Sequence, residues 1–203
     1  MGSTAAPAFD RARFLAAAHT PAQLPPDEGA EVAIAGRSNA GKSSAINALT
    51  RAGLARTSKQ PGRTRQIVLF ALGEGMRLAD LPGYGYARVP RALQAHWERF
   101  LDRYLRTRAS LRGLVLVMDV RHPLREGDEA LAAWCAAAGR PVHVLLTKAD
   151  KLRRGPAMEA LREVEAALGA IHPGATAQLF SARTRLGVDE ARAVLARWLT
   201  GPR

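Results

Sequence analysis

The sequence predicts an α/β domain with a mostly parallel six-stranded sheet, one antiparallel edge strand and helices on both faces. Three observations predict it. From Glu31 onward, strand-like and helix-like segments alternate. Two of the strands, "LVLVMD" (114–119) and "VHVLLT" (142–147), are continuous apolar runs, as parallel strands covered on both faces are. A glycine-rich loop joins the first strand of the alternation to the first helix.

The elements follow in chain order. Residues 1–29 are rich in alanine and proline, with a short helix expected over Phe9–Ala18 and an extended lead-in at "QLPPDEG". "EVAIA" is the first strand. A helix follows over Lys42–Ala52, ended by Gly53, and an irregular polar stretch runs to Arg65. "QIVLFAL" and "MRLAD" are strands joined by a hairpin at "GEG". Val89–Arg108 is helical, with Trp97, Leu101, Tyr104 and Leu105 on one side as core and Arg99, Arg103 and Arg106 on another. Those arginines read either as a solvated face or as a grip on RNA. Helices over Glu126–Ala138 and Pro156–Leu168, the strand "TAQLFS" and a helix over Val188–Leu199 complete the pattern. The organisation expected is an N-terminal extension over 1–29 and a single domain over 30–203.

Composition narrows the function classes. The chain has 203 residues, 47% of them hydrophobic, enough for one self-sufficient core. A single cysteine, Cys135, excludes an internal disulfide and fits a reducing compartment; in its alanine-rich helix it reads as packing. No apolar run approaches the roughly 18 residues needed to span a bilayer, and no hydrophobic signal region follows a basic start, so the expectation is a cytoplasmic protein with no membrane partner. The net charge is +12, and part of it is clustered. Residues 51–65 carry five cations and no acid, and 99–112 carry five arginines against Asp102. That clustering points to a polyanion partner, nucleic acid or ribonucleoprotein.

Four local patterns carry chemistry. "GRSNAGKS", Gly36, Arg37, Ser38, Asn39, Ala40, Gly41, Lys42 and Ser43, stands between a strand and a helix and fits a phosphate-binding loop. Its backbone N–H groups would ring phosphate oxygens, Lys42 would reach the β- and γ-phosphates, and the Ser43 hydroxyl would bind magnesium, with Ser44 beside it. "DLPG", Asp80, Leu81, Pro82 and Gly83, ends a strand; Asp80 would hold the same magnesium through water and the Gly83 N–H would meet the γ-phosphate. "TKAD", Thr147, Lys148, Ala149 and Asp150, ends a buried strand. The Asp150 carboxylate can accept two hydrogen bonds from a guanine edge, whereas adenine would leave it unpaired. "FSAR", Phe180, Ser181, Ala182 and Arg183, follows the last strand, and the Ala182 N–H is placed for the guanine carbonyl. Between the first two patterns lie Gly62, Arg63 and Thr64; Thr64 is the choice, over Thr57, for a residue that closes on magnesium when a γ-phosphate is present. Lys42, Thr64 and Gly83 form the expected catalytic set. Together the patterns predict a Ras-like phosphate-loop protein that binds GTP and GDP with magnesium and hydrolyses GTP by in-line attack of water.

"GRSNAGKSS", "SKQPGRTR", "DLPGYGYARV", "DVRHP" and "LLTKAD" together resemble the EngB family (YihA/YsxC) of translation-factor-related GTPases, from about Gln23 to the end of the chain. The first residue of "TKAD" departs from the asparagine usual among relatives. The resemblance implies a monomeric bacterial GTPase that assists assembly of the large (50S) ribosomal subunit on its rRNA and is associated with cell division and septation. A division regulator working through a protein partner is the alternative. The resemblance also implies slow intrinsic turnover, stimulated by the ribosomal particle or by potassium. Tyr84 stands where Ras has its water-orienting glutamine, and Asn39 matches the asparagine that holds potassium in some relatives. His122, in "DVRHP", reads as a hydrogen-bonded loop residue more readily than as a base.

Overall fold

The structure, a computed structural model, describes residues 6–55, 66–84 and 91–201. Seven strands form one sheet: β1 (Arg13–Ala18), β2 (Ala30–Gly36), β3 (Ile67–Gly73), β4 (Met76–Asp80), β5 (Leu111–Asp119), β6 (Val142–Thr147) and β7 (Thr176–Leu179), in the order β1-β3-β4-β2-β5-β6-β7. β4, β2, β5, β6 and β7 are mutually parallel, while β3 pairs antiparallel with both β4 and β1. Helices α1 (Lys42–Thr50), α2 (Arg91–Thr107), α3 (Glu126–Ala137), α4 (Arg154–Ile171) and α5 (Val188–Thr200) cover the sheet. This is the fold class that the alternation predicts. Among the described residues, no helix is long and apolar enough to cross a membrane.

The N-terminal stretch departs from expectation. In place of a helix over Phe9–Ala18 there is a single 3-10 turn at Phe9–Arg11 and then β1, which raises the strand count from six to seven. Alanine and leucine are good helix formers, but intrinsic propensity is small in free-energy terms and tertiary pairing overrides it. Here the outer side of β3 would otherwise present a row of unpaired backbone groups. β1 pairs with it from Arg13 opposite Ala71 to Ala18 opposite Ile67, with a bulge between Phe14 and Ala16.

The sheet divides the core in two. One layer, with Ile46, Leu49, Phe70, Phe180 and Leu195, lies under α1 and α5. The other, with Leu69, Leu81, Tyr104, Leu116, Leu146 and Val164, lies under α2, α3 and α4. Sequence spacing placed Tyr104 and Leu105 in the core, and both are buried; Leu101 is half-buried and the side chain of Trp97 lies outside the described residues. Register then fixes the working end. Asp80 pairs opposite Ile34, Gly36 opposite Val117 and Asp119 opposite Thr147, so the carboxyl ends of β2, β4, β5 and β6 finish at nearly one level.

The opposite end of the sheet is closed by a buried ionic network. Glu31, fully buried, accepts from Arg77 (3.0 Å), from Arg108 (3.3 and 3.4 Å) and from the Tyr104 hydroxyl. Arg77 and Arg108 also donate to the carbonyls of Pro26 and Pro25, and Asp27 accepts from the Ala109 and Ser110 N–H groups at 2.8 Å. A carboxylate at that depth is tolerable because its charge and lone pairs are matched.

Candidate nucleotide-binding site

Parallel sheets bind ligands outside the carboxyl ends of their strands, and every described residue of the four sequence patterns falls there. Gly36 ends β2, Arg37–Gly41 form the loop, and Lys42, Ser43 and Ser44 open α1. Asp80 ends β4 and Thr147 ends β6; Ala149 and Asp150 lie in a 3-10 turn, and Phe180–Ala182 follow β7. Gly62, Arg63, Thr64 and Thr57 lie outside the described residues.

The loop's shape follows from its sequence. Gly41 caps α1 at φ 95°, a left-handed value that favours glycine, and a Cβ there would stand 3.2 Å from Thr147 Oγ1. Asn39 is also left-handed, at φ 64°. The first turn of α1 contains no acid, so no side chain within it opposes the partial positive charge of its N-terminal N–H groups. Lys42 Nζ pairs with Asp80. Burial pushes the Asp80 carboxyl above its ordinary range, and Lys42 offsets this only in part.

The segment after Asp80 lies against the loop. A Cβ on Gly83 would be 3.5 Å from the Gly36 carbonyl oxygen, and Ser38 donates both its N–H (3.0 Å) and its hydroxyl (3.2 Å) to the Tyr84 carbonyl. The Tyr84 ring turns away toward α3. Its hydroxyl donates to Asp128, whose other oxygen accepts the Arg125 N–H at 2.9 Å. The ring occupies the space beside Gly127, where a Cβ would come within 2.8 Å of it. Burial, and then the Asp128 charge, push the Tyr84 phenol up, so it stays protonated.

At the end of β6, Thr147 takes up the position the sequence left open. Its hydroxyl lies between the carbonyls of Ala40 and Met118 (3.0 Å to the latter), tying β6 to the phosphate loop. Lys148, left-handed at φ 59°, donates to the Asn39 carbonyl (2.6 Å) and to Asp119 (2.9 Å). Burial works to raise the Asp119 carboxyl, but hydrogen bonds from Arg121 and Lys148 outweigh it and hold the group well below its ordinary range. Asp150 accepts from Ser181 Oγ (2.7 Å) and from Arg183 Nε (2.8 Å), which together keep its carboxyl ionised. Gly41, Ser44, Thr147, Lys148, Asp150, Phe180, Ala182 and Arg183 line one pocket here.

Sequence reasoning quoted Asp119 in "DVRHP" and Arg183 in "FSAR" without giving either a role, and singled out neither Asp128 nor Gly127. Asp119 carried a usable signal, since it ends a buried strand at the same level as Thr147. Asp128 and Gly127 carried none, because their role depends on where the Tyr84 ring goes. His122 is exposed, and its N–H closes a turn onto the Asp119 carbonyl at 2.9 Å.

A phosphate loop, a strand-end aspartate paired with its lysine, and a second carboxylate beside a small pocket thus stand together at one end of the sheet, and the comparisons with known proteins place this arrangement among the phosphate-loop GTPases. Residues 31–148 match the family described as 50S ribosome-binding GTPase. The chain is 56% identical over 193 residues to the probable GTP-binding protein EngB of Stenotrophomonas maltophilia, covering 94% of this chain and 96% of that one. It is 55% identical over 194 residues to its counterpart in Coxiella burnetii, covering 95% of each. Among solved structures, a probable GTP-binding protein EngB superposes with TM-score 0.65 at 22% identity, covering 83% of this chain and 99% of that one. A variant of Aquifex aeolicus Era bound to GDP·AlF4− superposes with TM-score 0.67 at 21% identity, covering 87% of this chain and 58% of that one. At such identities the likeness is one of fold. The chain belongs to the EngB family of GTP-binding proteins.

Proposed function

We propose that this chain is a GTP-binding and GTP-hydrolysing switch that assists assembly of the large ribosomal subunit in the cytoplasm. On this reading residues 30–203 form the GTPase domain, a monomer, and the preceding residues edge its sheet. The observation that carries the nucleotide part is the convergence of Lys42, Asp80, Thr147 and Asp150 at one end of the sheet. The ribosomal part is supported by the description of the family and by the clustered positive charge.

Each side chain has a task in this reading. Lys42 moves from Asp80 to the β- and γ-phosphates, joined there by the loop N–H groups. Asp150 exchanges Arg183 for the guanine edge, with the Lys148 stem along the base. The Gly83 N–H meets the γ-phosphate, and Thr64 closes over it. Tyr84 is committed to Asp128 and does not orient the attacking water.

Magnesium fits the residues present. Among the described residues no group of three or more His, Cys, Asp or Glu gathers to hold a metal, but magnesium takes one or two protein oxygens and completes its shell with water and substrate phosphates. Ser43 and Asp80 supply such oxygens, and the raised Asp80 carboxyl marks a buried anion short of positive charge. The chemistry the ion supplies when bound is neutralisation of phosphate charge. Asn39 holds potassium in the same reading. It is overturned if Asn39→Ala leaves the potassium-to-sodium rate ratio unchanged.

The test of the ribosomal part is co-sedimentation with purified large subunits at matched salt, comparing a non-hydrolysable GTP analogue with GDP. Binding that requires the triphosphate and survives moderate salt supports the assembly role. Equal binding in both states that fades with salt contradicts it, and a GTP-dependent protein partner retained after nuclease treatment would favour the division role. The link to septation then follows only if depleting the protein disturbs division before translation.

A further inference from the structure

A groove opens between α2, α3 and the segment that follows β4. Its walls are apolar and aromatic: Leu81 and Tyr84 after β4, Leu101 of α2, and Leu131 and Trp134 of α3. Leu81 and Leu131 are buried, whereas Tyr84, Leu101 and Trp134 are only half-buried, so part of both rings is left to line the groove.

Nitrogen-bearing side chains line it as well. Arg99 comes from α2, Arg125 from the residue before α3, His122 from the loop after β5 and Arg37 from the phosphate loop. Arg99, His122 and Arg125 are exposed. Among the described residues, Arg37, Arg99 and Arg125 form no ion pair. Among the described lining residues the one carboxylate is Asp102, and Arg106 already holds it at 2.6 Å. Asp128, bonded to the Tyr84 hydroxyl and to the Arg125 N–H, is buried.

Guanidinium groups without a carboxylate, set around aromatic and aliphatic walls, complement a ligand that brings both phosphate and a flat apolar face. An unpaired nucleotide of an RNA strand is such a ligand, since a base inside a duplex keeps its faces stacked. The charge of +12 favours this polyanion over a neutral apolar segment. The groove also shares a wall with the phosphate loop. Arg37 follows Gly36 there and is bridged to Tyr84, whose carbonyl accepts the Ser38 N–H at 3.0 Å. A ligand against Arg37 and Tyr84 therefore bears on the loop that a bound nucleotide occupies. Any factor by which that nucleotide changes RNA affinity is returned by RNA on the nucleotide.

We propose that the groove between α2 and α3 holds an unpaired nucleotide of ribosomal RNA, its phosphates on Arg99 and Arg125 and its base against Trp134 and Tyr84. The proposal rests on the ribosomal reading above and adds the surface that does the binding.

The test is affinity for a short labelled oligouridylate and for purified large subunits, each over a salt series with a non-hydrolysable GTP analogue. Arg99→Ala/Arg125→Ala should weaken both at least tenfold, with Tm and GDP affinity unchanged. The slope of log K for the oligouridylate against log salt should shrink by about 1.4, two phosphate contacts at roughly 0.7 each. Arg154→Ala/Arg162→Ala removes the same charge from exposed positions of α4 outside the groove and should leave affinity and slope unchanged. Arg99→Lys/Arg125→Lys should keep the slope. Trp134→Leu keeps an apolar wall but no ring, and should weaken binding about tenfold without altering the slope. The proposal is overturned if the Arg99/Arg125 alanine variant or Trp134→Leu binds like the unchanged chain, or if the α4 variant loses as much. It is overturned too if the Arg99/Arg125 alanine variant loses the subunit but keeps the oligouridylate, which would assign the groove to an acidic protein segment. An unchanged chain that fails to bind the subunit at all overturns the ribosomal reading itself.

Discussion

The two ends of the sheet use the same chemistry for opposite purposes. At the amino end, Glu31, Arg77, Arg108 and Tyr104 meet in a buried cluster whose partners are all internal. At the carboxyl end, Lys42–Asp80, Lys148–Asp119 and Arg183–Asp150 are also pairs of cation and carboxylate, but they stand at the strand ends, where Arg183 and part of Lys148 are open to solvent. Removing one partner from the first cluster strands a buried charge. In the second, on the proposed function, Lys42 and Asp150 exchange an internal partner for a phosphate or a base, and the pairs hold these side chains in place until then.

The strongest way to break this comparison is at Asp150. Asp150→Ala should collapse a guanine-over-adenine preference of about 10⁴-fold to within about tenfold, read by competition binding, while the Tm hardly moves. At the other end, Glu31→Ala should cost about 3–5 kcal/mol and lower the Tm by on the order of 10 °C, and the protein that remains folded should bind GDP normally. If Glu31→Ala instead weakened nucleotide binding at constant folded fraction, the two ends would not be separable. Lys42→Ala should lower the rate of GTP hydrolysis about 10²- to 10³-fold with a near-normal melting curve.

Smaller effects sharpen the contrast. Tyr84→Phe removes one hydrogen bond and leaves Asp128 its bond to the Arg125 N–H, so about 1 kcal/mol of stability is at stake; Gly127→Ala, which collides with the ring itself, should cost more. The folded Asp119 carboxyl titrates below its ordinary value of 3.8. Its contribution is therefore complete above that value and is lost as the pH falls toward the lowered one. The Tm difference between the unchanged chain and Asp119→Asn should accordingly shrink as the solution is acidified. Smallest of all, burial raises the Cys135 thiol to about 12. The native protein should resist alkylation at neutral pH, and the slow residual rate should follow global opening.

The carboxyl end was legible because its chemistry is local. Gly36–Ser43 and Thr147–Asp150 each place their groups within a few residues of a strand end, so spacing alone carries the geometry. The amino end was not. Glu31 looks like the start of an ordinary strand, and its partners Arg77, Tyr104 and Arg108 are 46 to 77 residues away. β1 was misread as a helix because "RFLAAA" suits either state, and only the open side of β3 decides between them. Thr147 in place of asparagine was a puzzle from sequence; the close approach of Gly41 shows that a short hydroxyl reaches the loop carbonyl directly.

The most direct test is calorimetric titration of the full chain with GDP and, separately, ADP, each with magnesium. The account predicts saturable binding of GDP and none of ADP at a hundredfold higher concentration, with the GDP signal lost in Asp150→Ala. Equal affinity for the two nucleotides, or GDP binding that survives Asp150→Ala, would contradict it.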